Sequence, residues 1–108
     1  MNKRNIKKEI CEVCGNVACE SIFASSLIKG VDKDAMQQSV INAALLQEQS
    51  LKKVSVAFDK TPRDFESRKD YNKARRAYYT RAFNALRAEF GASLQEIVSA
   101  MNSAMPKK

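Results

Sequence analysis

The stretch from Thr61 to Gly91 limits the fold of this chain more than any other. From Arg63 to Phe90 it contains neither Gly nor Pro. Thr61 suits an N-cap, Pro62 the first helical position, and Asp64 the place of a capping-box acid. Gly91 can take the left-handed conformation that closes a helix. At about 100° per residue, Phe65, Tyr79, Phe83, Leu86 and Phe90 fall on one side. From Tyr78 onward the pattern is amphipathic. Before it, Arg68, Asn72 and Arg75 interrupt the same sector. The segment predicts a helix of roughly 43 Å at 1.5 Å per residue. Its second half forms core and its first half is more solvated.

The flanking sequence reads as helix too. Ile6, Ile10, Val13, Val17, Ala24, Leu27 and Ile28 keep helical spacing over about residues 4–29, with Gly30 as the stop and Gly15-Asn16 as an alternative turn. Asp32 or Asp34 can cap a second helix over about residues 33–58, with the stripe Met36, Val40, Ala43, Gln47, Leu51, Val54 and Phe58. Ile41, Leu45 and Val56 form a second apolar set on its other side. A helix apolar on two faces is central in a bundle or meets another subunit. After Gly91, the S-x-x-E box Ser93/Glu96 starts a short fourth helix with the stripe Leu94, Ile97, Val98, Met101 and Met105. Pro106-Lys107-Lys108 is expected to fray. With only 3 Gly and 2 Pro in 108 residues, turns are too scarce for a many-stranded sheet. The expected fold is all-α: one domain over residues 1–108, an antiparallel bundle of three long helices plus one short C-terminal helix.

No run approaches about 18 uninterrupted apolar residues, so no membrane association is expected. Glu9, Glu12 and Glu20 follow the basic Lys3, Arg4, Lys7 and Lys8, unlike the uncharged core of a signal peptide. The cysteines number three, an odd count that closes no disulfide framework, and a reducing cytoplasm is the expected location.

Cys11-Glu12-Val13-Cys14-Gly15-Asn16 looks like the C-x-x-C-G turn of zinc knuckles. Cys19 would be a third ligand. In a continuous helix Cys11 and Cys19 lie about 12 Å apart along the axis, so metal binding needs a break at Gly15 and a fourth ligand. The alternatives are thiols acting as small hydrophobes, or redox chemistry at Cys11 and Cys14. No cofactor is implied.

The net charge of +7 is uneven: residues 61–91 carry eight basic and four acidic side chains. Arg68, Tyr71, Arg75 and Tyr78 are spaced 3, 4 and 3, so cation and ring alternate along one face. Lys69, Lys73, Arg76 and Arg87 lie on an adjacent face. Phosphate neutralisation with base stacking is the chemistry of single-stranded nucleic-acid binding. An acidic protein surface would suit the same charges. The competing reading is a solvated face of local pairs, Asp64 to Arg68, Glu66 to Lys69 and Asp70 to Lys73.

Residues 90–102, from Phe90-Gly91-Ala92-Ser93 to Asn102, resemble the turn and second helix of a helix-turn-helix, which would imply DNA reading. The match departs at Arg87, where a small residue normally packs. It also has no Arg or Lys on the reading helix before Lys107. Catalysis has no foothold: there is no histidine, no phosphate loop and no nucleophile elbow. The sequence leads to a non-enzymatic helical interaction module that self-associates through the second helix. Nucleic-acid binding along the basic helix is the alternative, and a zinc or redox site at the cysteines is third.

Overall fold

The computed structural model describes residues 3–106; Lys107 and Lys108 lie outside the described residues. The fold is all-α. Helix α1 spans Lys3–Leu27, α2 spans Lys33–Val54, and α3 spans Arg68–Ala104, with a 3-10 turn at Pro62–Asp64 before α3. Helix α2 packs along both α1 and α3. Gly30, at φ 83°, ends the α1 region as expected. Of the two capping candidates it is Asp32 that accepts from the Ala35 N–H, at 3.1 Å.

The core is a buried stripe from each helix: Ile6, Ile10, Cys14 and Val17 of α1, Met36, Ala43, Leu46 and Val54 of α2, and Phe83, Leu86, Ile97 and Met101 of α3. Ser21 of α1 and Ser39 of α2 are buried and return their hydroxyls to the Val17 and Ala35 carbonyls at 3.0 and 3.1 Å. That back-bonding removes the cost of burying a hydroxyl. Leu27, placed in the α1 stripe by spacing, is instead exposed, as the helix ends beside it.

Three expectations are corrected. The short fourth helix does not exist separately, because Gly91 lies inside α3. The reason is phase. Phe83, Leu86, Phe90, Leu94, Ile97, Met101 and Ala104 form one unbroken stripe across Gly91, and their burial outweighs the roughly 1 kcal/mol that Gly costs a helix. For the same reason Gly15 does not turn α1. The Thr61 capping box does form, with the Thr61 N–H donating to Asp64 Oδ2 at 2.8 Å, but it caps only the 3-10 turn. Phe65 then goes extended, and α3 starts afresh with Ser67 accepting from the Asp70 N–H at 3.1 Å. Helix α2 stops at Val54, short of Phe58.

Among the described residues, α1 is long and apolar enough to cross a membrane by length and composition, with a best-window mean hydropathy of 1.2. Its Ile6-to-Ser21 face is nonetheless buried in the bundle.

The topology leaves α3 overhanging. Its C-terminal end meets the α1–α2 turn, where the Asp32 N–H donates to the Ala104 carbonyl at 2.9 Å. At the opposite end the first residue of α1, Lys3, sits against Val56 and Tyr79. Helix α3 has 37 residues against 25 in α1, so about 18 Å of it extends past the start of α1 at 1.5 Å per residue. The described chain is 65 Å long and under 20 Å across, 19 × 15 Å.

Candidate anionic-partner surface

The overhang, Arg68 to Tyr78, is covered on one side only. The 55–67 connection folds back onto it and lays down an aromatic cap. The Phe58 ring lies 6.3 Å from Phe65, 5.9 Å from Tyr71 and 5.4 Å from Tyr78, between ring centroids. Phe65 meets Tyr71 edge-on at 5.8 Å. Tyr79 joins the cap to the core by stacking on Phe83 at 5.8 Å, and its hydroxyl accepts from the Phe58 N–H at 3.2 Å. Such ring pairs favour tilted and edge geometries and give a short, otherwise thin segment its apolar contact.

The sequence candidates take different positions. Tyr71 and Tyr78 are half-buried in the cap, each against the Phe58 ring. Arg68 and Arg75, on the same side by spacing, are exposed, and the Arg75 guanidinium lies 5.0 Å from the Tyr79 ring centre. Lys69, Lys73 and Arg76 are exposed on the uncovered side. With Arg68 and Asn72 they border an open concavity of about 640 Å³. The local ion pairs do not form. Among the described residues the salt bridges are Lys52–Glu48 at 3.4 Å and Lys53–Glu89 at 2.6 Å, both away from the overhang. Asp64 is occupied by Thr61.

A second cleft, of about 490 Å³, lies where α1 begins against α3. Lys3, Asn72, Arg75, Arg76, Tyr79 and Thr80 line it, and no acid does. Lys3 is half-buried; its ammonium donates to the Val56 carbonyl at 2.7 Å and lies 5.1 Å from the Tyr79 ring centre. The basic helix was legible from charge. Lys3, Asn72 and Thr80 were not, because only tertiary folding brings α1 to this point.

The other candidates separate in the same way. Ile41 and Leu45 of α2 are 45% and 49% exposed, and Leu45 borders a groove between α2 and α3 with Glu96 and Ile97. Val56 does not belong with them: it lies past the end of α2 and packs, partly buried, against the core. Cys14 faces the core, whereas Cys11 and Cys19 are exposed, and all three are free thiols. Burial, and then the neighbouring Cys11, pushes the Cys14 thiol pKa up, which keeps it protonated and a poor metal ligand. No group of three or more His, Cys, Asp or Glu able to hold a metal occurs among the described residues. The helix-turn-helix resemblance loses its turn, since Gly91 is mid-helix.

Comparison of the chain with protein-family models, curated proteins and solved structures returns no match.

Proposed function

We propose that this chain is a non-enzymatic helical module that holds a nucleic-acid backbone along the overhanging start of α3. The observation that carries the reading is the row Lys69, Lys73 and Arg76, exposed and without ion-pair partners among the described residues, beside the Lys3 cleft that no acid lines. The spacings of 4 and 3 put these cations roughly one helical turn apart on one side. The amino end of α3 adds its dipole field to theirs. With the tyrosines engaged in the cap, recognition falls to phosphates rather than bases. Binding is then insensitive to sequence and strongly dependent on salt.

The test is fluorescence anisotropy with a labelled mixed-sequence oligonucleotide across a salt series. Binding at low ionic strength should weaken along a log–log line. Replacing Lys69, Lys73 and Arg76 together by Gln should flatten that line by roughly 2–3 units. No binding at low ionic strength would end the proposal.

A second reading is favoured by the exposed pair Ile41 and Leu45 of α2. There a second copy of the chain would find two exposed aliphatic side chains, one of them at the edge of the α2–α3 groove. Sedimentation of the native chain against Leu45→Lys tests it, and a native monomer at micromolar concentration removes it.

A further inference from the structure

We infer that the cleft between Lys3 of α1 and Arg75 and Arg76 of α3 is a seat for a phosphomonoester dianion, the end phosphate of a nucleic-acid strand lying along the basic row. The inference rests on the backbone-binding reading for the source of the phosphate. The seat itself stands on its own geometry.

The first argument is charge held in place. Lys3 Nζ is fixed by its 2.7 Å bond to the Val56 carbonyl, and both it and the Arg75 guanidinium lie near the Tyr79 ring, 5.1 and 5.0 Å from its centre. The two charges therefore lie within about 10 Å of each other, and no carboxylate offsets either one among the described residues. An anion in the cleft that both line relieves their repulsion. An ammonium has three donors, so Lys3 retains two after serving Val56. The Arg75 and Arg76 guanidiniums offer paired N–H groups that match phosphate oxygens.

The second argument is the lining. Around the cations stand the Asn72 amide and the Thr80 hydroxyl, and the core residue Phe83 is the apolar part of the wall. A wall of donors without an acid selects an oxyanion over a cation or an apolar group. At about 490 Å³ the cleft has room for a phosphate and the sugar that carries it.

The third argument is position. The row Lys69, Lys73 and Arg76 continues toward Thr80, where the first turn of α1 stands against α3. A strand following the row reaches the cleft through Arg76, which belongs to both, and the added cations Lys3 and Arg75 favour its most highly charged group, the end phosphate. A terminal phosphate carries close to two negative charges at neutral pH, against one for an internal diester.

Two measurements test the seat. Inorganic phosphate titrated into the native chain should shift the amide NMR signals of Arg75 and Thr80, and Lys3→Gln should abolish the shift while Lys3→Arg restores it. In anisotropy, a strand with a 5′-phosphate should bind roughly tenfold tighter than the same strand ending in hydroxyl. Lys3→Gln or Arg75→Gln should erase that ratio, whereas Lys69→Gln with Lys73→Gln should weaken both strands and preserve it. Equal binding of the two strands overturns the seat and leaves backbone binding intact. Failure of both strands, with the phosphate shifts still present, removes the nucleic-acid source and keeps the seat as a site for free phosphate. Absence of the phosphate shifts, with circular dichroism unchanged, overturns the seat outright.

Discussion

The two ends of α3 belong to one helix but are held by different means. From Tyr79 to Ala104 the helix is an ordinary bundle member, with Phe83, Leu86, Ile97 and Met101 buried against α1 and α2. From Arg68 to Tyr78 the helix meets only the first residue of α1, Lys3, among the described residues, and its apolar support is the aromatic cap from the 55–67 connection. The bundle half is fixed by area removed from water. The overhang is fixed on one side by rings and presents cations on the other. Stability and a charged surface have thus been separated along a single helix. A surface that must hold unpaired like charges is better placed where burial does not depend on it.

The largest test of that division is Phe83→Ala. Phe83 is only 2% exposed and touches the core and the Tyr79 ring. Truncation leaves a cavity in the core, for a loss of about 3–5 kcal/mol in urea unfolding. A loss near 1 kcal/mol would mean that the bundle half is not the anchor.

Phe58→Ala addresses the overhang. Phe58 is half-buried and contacts three rings, so its removal should cost about 1.5–3 kcal/mol. The location of the effect matters more than its size. Hydrogen exchange should accelerate at the amides of residues 71–78 and stay slow at 86–101. Uniform acceleration along α3 would show that the two halves open together and would erase the distinction.

A smaller effect of opposite sign is expected at Gly91→Ala. An added Cβ there meets nothing within 4 Å, and Gly91 does not have a positive φ. The substitution should stabilise the chain by about 0.5–1 kcal/mol, read as a higher midpoint in thermal unfolding. Destabilisation would indicate a turn at Gly91 after all.

That position also marks where sequence reasoning reached its limit. The helical class, the Gly30 stop and the Asp32 cap could all be read locally, since apolar spacing and turn chemistry agreed. At Gly91 the local signals, a glycine and an S-x-x-E box, competed with the phase of a stripe running from Phe83 to Ala104. The stripe prevailed because burial is worth more than a cap. Thr61 shows the converse: its box forms, but whether a box opens a long helix depends on Phe65, which is drawn into the extended conformation beside Phe58. Buried Ser21, Ser39 and Ser50 are polar by type and recognisable only once α1 and α2 lie together. The cations of the surface could be read from charge. Their arrangement could not, because Tyr71 and Tyr78 alternate with arginines in sequence yet turn into the cap, and Lys3 arrives from the far end of the chain.

The smallest expected change in stability is the most informative for the overhang. Replacing Lys69, Lys73 and Arg76 together by Gln should alter unfolding free energy by less than about 0.5 kcal/mol. None of the three has an ion-pair partner to lose among the described residues. Lys, Arg and Gln have similar helix propensities, and removing Lys69 from the first turn relieves a cation at the positive end of the dipole. A control in the bundle half behaves differently. Lys53→Gln breaks the 2.6 Å link to Glu89 that joins α2 to α3, and should cost up to about 1 kcal/mol, less at high salt. A triple variant that loses more stability than Lys53→Gln would mean that charges help hold the overhang in place. The row could then no longer be regarded as a surface kept free for a partner.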